Sequence, residues 1–163
     1  AADPFDARVT GVVLAATAAQ PGLVKVPLPL ARLAFGEWQT PSLRRKAESD
    51  DHRPAGPYGH QDSVKASYVA MAAATGAARS GFLTAMGRMD WRPELRSISV
   101  PTKILVGSND RLTPAARARE LAAGVPGSEL TILEGRRHML PYEAPDAIVT
   151  AVAALVQERA VSR

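Results

Sequence analysis

Three short apolar runs decide most of what this chain can fold into. RVTGVVLAAT (residues 8–17), PTKILVGSND (101–110) and SELTILEG (128–135) are rich in Val, Ile, Leu and Thr and are bounded by turn residues. Their apolar residues are nearly continuous rather than alternating, the pattern of parallel strands covered on both faces. Between the second and third runs lies TPAARARELAAGVPG, which reads as a helix with Thr113 as its cap, Pro114 at its first position and Gly124 at its end. Leu121 gives that helix an apolar edge, and Arg117 and Glu120 a wet one. After the third run, APDAIVTAVAALVQERA opens at Pro145 and repeats Ile148, Val152 and Leu155 at i, i+4, i+7. Arg159 sits near its end, where a cation suits the helix dipole. Strand, helix, strand, helix with short loops is a right-handed crossover unit on a parallel sheet, so the expected class is α/β.

Residues 21–97 read differently. Pro21, Pro27 and Pro29 punctuate the start, and the polar turn segment DDHRPAGPYGHQD leads into SVKASYVAMAAATGAARSGFLTAMGRM. The latter is an Ala- and Met-rich helical region that Gly76 and Gly81 are expected to divide. The expected organisation is therefore a strand-bearing part, residues 1–20 and 98–163, with a largely helical insertion at 21–97 between its strands. There is no internal repeat.

Composition excludes several functional classes. A chain of 163 residues suits one domain, and 46% hydrophobic with 22% charged residues is ordinary for a globular protein. No cysteine is present, so disulfides and thiolate metal sites are ruled out. The net charge of +4 raises nucleic acid as a partner, but the basic residues are scattered. The single run, Arg44-Arg45-Lys46, is answered at once by Glu48, Asp50 and Asp51 and reads as a solvated helix face, so no nucleic-acid partner is expected. No segment approaches the roughly 20 apolar residues of a membrane span. GVVLAATAA (11–19) is of strand length and lacks the basic flank of a signal peptide, which suggests a cytoplasmic location.

Chemistry-bearing residues fall where two strands end. In an open parallel sheet, ligands sit outside the carboxyl ends of the strands. Asp110 closes KILVGSND and His138 follows LTILEG by three residues. If the strands are neighbours, the carboxylate reaches the imidazole. Such a pair supplies the orienting acid and the general base of a nucleophilic triad. Ser108, Asn109 and Asp110 are also standard turn formers, and a lone loop histidine is commonly a surface residue, so each alone carries little. His52 and His60 read as turn residues with no further ligands at metal-binding spacing, and no phosphate loop is present. No cofactor and no metal are expected. Trp38, Trp91, Tyr58, Met71, Met86 and Met89 read as packing of the helical region, with an apolar acyl pocket as the alternative use of the methionines.

Residues 100–156 closely resemble the C-terminal part of the α/β-hydrolase fold. PTKILVGSNDRLTP is similar to that family's strand and acid loop, with Asp110 at the acid position, and GRRHMLPYEAP to its histidine loop, with His138 at the base position. Pro126 matches the recurrent proline before the last strand, and DPFDARVTGVVLAAT resembles the passage from the helix after the nucleophile into the next strand. The insertion at 21–97 falls where the family carries its helical cap. One departure is Arg137, where the family has a small residue before the histidine, and local loop packing is the preferred account of it. The larger departure is the nucleophile. None of the twelve glycines begins a Gly-x-Ser-x-Gly elbow or its Asp or Cys equivalent. Ser63, Ser80 and Ser108 are each explained locally, as helix cap, helical residue and turn former.

The resemblance implies the acid and base half of a capped hydrolase of carboxylic esters or related acyl compounds. Its serine, early strands and oxyanion-hole loop would lie upstream of Ala1, a residue that is itself not an initiator methionine. Alone, the chain is expected to be nearly inert. The alternative is a non-catalytic half-fold that binds or assembles through its open sheet edge, covered by a separate N-terminal half or by a second copy. The implied substrate is a small apolar ester.

Overall fold

The three apolar runs form three parallel strands in the computed structural model, which describes residues 9–20, 28–49 and 61–161. They are β1 (Val12–Ala15), β2 (Thr102–Gly107) and β3 (Glu129–Leu133), in the order β1-β2-β3. β2 is the centre. Val12 to Ala15 pair with Thr102 to Leu105 on one side, and Glu129 to Leu133 pair with Lys103 to Gly107 on the other. The class is α/β as expected: a parallel sheet flanked by helices.

Two helices cover opposite faces of β2. Alternation puts Ile104 and Val106 on one face and Lys103 and Leu105 on the other. Ile104 and Val106, both essentially inaccessible, pack with Ala118 and Leu121 of α5 (Ala115–Gly124) and with Leu95 and Val125. On the second face Lys103 Nζ reaches Glu129 Oε1 of β3 at 2.8 Å and Glu158 Oε1 of α7 (Pro145–Val161) at 2.5 Å. Leu155 is the buried anchor of α7, while Val149, Val152 and Val156 on the same helix are exposed. The expected stripe of Ile148, Val152 and Leu155 is therefore only partly an inward face, because a sheet three strands wide meets little of a 17-residue helix.

Full coverage of the strands holds for β2 alone. Every residue of β1 is half-buried, and Glu129, Thr131 and Ile132 of β3 are exposed. An edge strand has one neighbour instead of two, so continuous apolar composition overstated its burial.

The chain divides into two compact units, Ala1–Ala19 with Trp91–Arg163, and Gln20–Asp90. The second is helical, with α1 (Leu28–Phe35), a single 3-10 turn at Glu37–Gln39, α2 (Thr40–Glu48), α3 (Gln61–Ala73) and α4 (Gly76–Met86). Buried Arg79 organises it by donating to the carbonyls of Met71 (2.8 Å), Gly36 (3.0 Å) and Ala74 and to Thr40 Oγ1 (2.8 Å). Glu37 accepts the Gly76 N–H and the Thr40 hydroxyl.

Several sequence expectations are corrected in this unit. The helical region divides at Ala74-Thr75, where the Thr75 hydroxyl caps α4 by accepting from the Ala78 N–H at 3.1 Å; Gly81 lies inside α4 without breaking it. Trp38 is 67% exposed, and Trp91, which belongs to the strand-bearing unit, is 55% exposed. Neither is core packing. Gly76 meets the Gly36–Glu37 backbone so closely that no side chain fits between, and the adjoining interior is taken by the Arg79 guanidinium. Met71 is 37% exposed, and Met86 and Met89 are half-buried. The Arg44-Arg45-Lys46 run lies exposed on α2. Pro21, Pro27 and the segment 50–60, with His52, Tyr58 and His60, lie outside the described residues. Among the described residues no helix is long and apolar enough to cross a membrane.

The asymmetry between centre and edge is measurable by urea unfolding. Ile104→Ala, in the dry centre of β2, is expected to cost about 2–5 kcal/mol. Ile132→Ala in β3, at a position 37% exposed, is expected to cost less than half as much. Equal losses would mean that β3 is as deeply packed as β2.

Candidate active site

Gly107 and Leu133 are paired, so the loops leaving β2 and β3 start side by side. They are then stitched together. The Ser108 N–H donates to the Leu133 carbonyl at 3.0 Å and the Asn109 N–H to the Arg136 carbonyl at 2.9 Å. The Ser108 hydroxyl accepts the Gly135 N–H at 2.8 Å and donates to Glu134 Oε1 at 3.1 Å. Ser108 is thus more than a turn former; it links the two loops. A Cβ on Gly107 would run into the backbone of Arg136 and Arg137, so this closure requires glycine there.

The stitching delivers Asp110 and His138 to each other. His138 Nδ1 lies 3.0 Å from Asp110 Oδ2. The Asp110 side chain has no solvent exposure, whereas that of His138 is 35% exposed. The carboxylate accepts four hydrogen bonds: Oδ1 from the backbone N–H groups of Leu112 and Thr113, each at 2.8 Å, and Oδ2 from the Thr113 hydroxyl at 2.8 Å and from the ring. Burial pushes the Asp110 carboxyl up, but the hydrogen bonds from His138 and from the Thr113 backbone and hydroxyl outweigh it. The net effect holds the group below its ordinary value.

Thr113 was read from the sequence as a helix cap. Instead α5 begins at Ala115 with Pro114 as its N-cap, and no side chain caps it. The Thr113 hydroxyl is committed to Asp110 and lies 3.2 Å from His138 Nδ1. The hydroxyl donates to a carboxylate three residues upstream instead of accepting an N–H group at the helix start. The Asp-x-x-Thr spacing is the signal that could have found this role. Glu143 was also missed. It is buried in the short turn α6 (Leu140–Glu143), and its carboxylate accepts the N–H groups of Arg137 at 2.7 Å and Met139 at 3.3 Å. No side-chain pattern announces it, since its partners are backbone N–H groups.

An ionised Asp110 accepts a hydrogen bond from Nδ1–H, so the neutral ring carries its lone pair on Nε2, which has no partner among the described residues. Such a ring can accept a proton from a hydroxyl or water, and the carboxylate then stabilises the imidazolium. The serines weighed as nucleophiles are otherwise engaged or not described. Ser80 is inaccessible in α4 and donates to the Gly76 carbonyl at 2.7 Å, Ser108 joins the loops, and the Ser63 side chain lies outside the described residues. Among the described residues no group of three or more His, Cys, Asp or Glu could hold a metal ion.

Comparison with known proteins follows the same lines. A family model described as the alpha/beta hydrolase family matches residues 1–151. The 2-hydroxy-6-oxononadienedioate/2-hydroxy-6-oxononatrienedioate hydrolase of Klebsiella pneumoniae subsp. pneumoniae is 41% identical over 58 residues, 36% of this chain and 20% of that protein. The AB hydrolase superfamily protein YisY of Bacillus subtilis (strain 168) is 41% identical over 64 residues, 39% of this chain and 24% of that protein. Among solved structures, the enol-lactonase from Burkholderia xenovorans LB400 superposes with a TM-score of 0.69 at 24% identity, over 94% of this chain and 58% of that one. The esterase from Exiguobacterium antarcticum does so with a TM-score of 0.69 at 17% identity, over 91% and 57%. The chain thus spans little more than half the length of the solved structures it resembles.

The bonds to Asp110 have a consequence for stability. Because its folded value lies below the ordinary 3.8, the stabilisation is present above 3.8 and is lost as pH falls through the lower folded value. The difference in urea stability between wild type and Asp110→Asn is expected to shrink as pH is lowered from about 6 to about 2. A difference independent of pH would mean that the carboxylate gains nothing from its partners.

Proposed function

Since the chain belongs to the alpha/beta hydrolase family, we propose that Asp110 and His138 are the acid and base of a Ser-His-Asp triad in an enzyme that hydrolyses a carboxylic ester or related acyl bond. The serine is assigned to sequence outside these 163 residues. The observation that carries this reading is the 3.0 Å contact between His138 Nδ1 and a fully buried Asp110 carboxylate at the carboxyl ends of two adjacent parallel strands.

In the proposed reaction His138 Nε2 removes the serine proton as the hydroxyl attacks the acyl carbon. Asp110 holds the ring in the Nδ1–H tautomer and stabilises the imidazolium, which returns the proton to the leaving group. The same cycle with water releases the acid. The helical unit is assigned the role of the substrate-selecting cap. The esterases among the similar structures support the acyl reading.

A second reading, an assembly module, is favoured by one observation. Among the described residues β1 pairs only with β2. Beside it lies a groove of about 320 Å³ lined by Thr10, Gly11, Val13, Val152, Leu155, Val156 and Arg159. The proposed cover is the nucleophile-bearing part of the same hydrolase, with a second copy of this chain as the competing occupant.

A serine-directed phosphonate separates the two readings. This chain alone is expected to remain unlabelled, while the complete hydrolase is labelled and loses turnover by about 10⁴-fold or more in His138→Ala and Asp110→Asn. Turnover untouched by both substitutions would sink the triad.

A further inference from the structure

We propose that Glu143 is a positioning residue for His138: its buried carboxylate clamps the backbone on both sides of the histidine and thereby fixes the ring against Asp110. The inference rests on reading His138 as the base. On its upstream side the histidine loop is pinned to the β2 loop through Gly135 and Arg136. Those contacts stop two residues short of His138. The next two backbone N–H groups flanking the histidine, those of Arg137 and Met139, both donate to Glu143, one to each carboxylate oxygen.

The clamp closes on itself. Glu143 donates its own N–H back to the Met139 carbonyl at 3.0 Å, and the Tyr142 N–H donates to the same carbonyl at 2.9 Å. Leu140, wholly inaccessible, roots the turn, and Glu143 itself is 6% exposed. With residues 137 and 139 held by one rigid group, the Cα–Cβ direction of residue 138 is set, and the ring has little freedom except about its own side-chain torsions.

Glutamate is matched to this task. Two N–H donors need two acceptor oxygens on one planar group. Glutamine would keep one and turn an NH₂ toward the other donor, and aspartate is one methylene shorter. A buried acceptor pair without these donors would be costly, so carboxylate and loop conformation stand or fall together. The ring contact it serves is a directional bond whose value falls steeply with misalignment.

The test compares kcat and KM of the complete hydrolase for Glu143→Gln and Glu143→Ala, with Asp110→Asn and His138→Ala alongside. Ring ¹⁵N and Nδ1–H resonances of His138 are recorded in this chain. Glu143→Gln is expected to lower kcat roughly 10-fold and Glu143→Ala roughly 100-fold, as expected when a reacting group is misplaced by about 1 Å. KM should change little, and the Nδ1–H signal should weaken while far-UV circular dichroism is retained. If Glu143→Ala unfolds, Glu143→Gln, nearly equal in volume, decides. A folded Glu143→Gln variant with full kcat and an unchanged His138 spectrum overturns the proposal, provided that Asp110→Asn and His138→Ala inactivate. If those two also leave turnover intact, it is the assignment of the base that fails.

Discussion

Parallel pairing of β2 with β3 sets Gly107 beside Leu133, and the site depends on that register. From it the Ser108 N–H finds the Leu133 carbonyl, the Ser108 hydroxyl finds the Gly135 N–H, and the Asn109 N–H finds the Arg136 carbonyl. A slip of one residue would turn Ile104 and Val106 out of the core face and remove all three bonds at once. Register is therefore enforced by burial of β2 at one end and by the stitched loops at the other. Asp110 and His138 meet because they lie just beyond this seam, one on each strand exit.

That logic explains which parts of the site were legible in the sequence. Asp110 and His138 were visible because a polar residue just past an apolar run marks a strand end, and strand ends of a parallel sheet are where chemistry collects. That the two strands are neighbours stood only as a condition, because crossover handedness does not fix strand order. Thr113 misled because Thr-Pro before a helical stretch is the ordinary start signal, and a local pattern does not weigh a competing carboxylate three residues upstream. Glu143 was invisible for a related reason. Its partners are the backbone N–H groups of a loop, which have no side-chain signature, and a single turn of helix has no periodicity to read.

Burial was the least legible property of the fold. Leu and Ile in β3 and Val in α7 have the composition of a core, yet Ile132, Val149, Val152 and Val156 are exposed. Apolar composition records what a residue can bury against; it does not say what lies opposite. The helical unit shows the converse. Arg79 carries a charge yet is 7% exposed, because four carbonyl and hydroxyl oxygens converge on its guanidinium. Such convergence comes from positions far apart in the chain, Gly36 and Thr40 with Met71 and Ala74, and no local pattern announces it.

Asp110 and Glu143 share one physical solution. Each is a buried carboxylate, and burying a charge is costly unless every acceptor is met. Neither relies on an arginine or lysine side chain for this. Asp110 is met by Leu112, Thr113 and His138, and Glu143 by Arg137 and Met139. All of these donors lie between residues 110 and 143, within the two loops and the turn that the carboxylates organise. Asp110 and His138 are thus brought together by contacts local to one stretch of the strand-bearing unit. An imidazole so held, its Nδ1 satisfied and its Nε2 open, is preorganised before any hydroxyl arrives. In the proposed enzyme the ordering cost of the base is met on folding, and the elements that bring the serine have only to position the nucleophile.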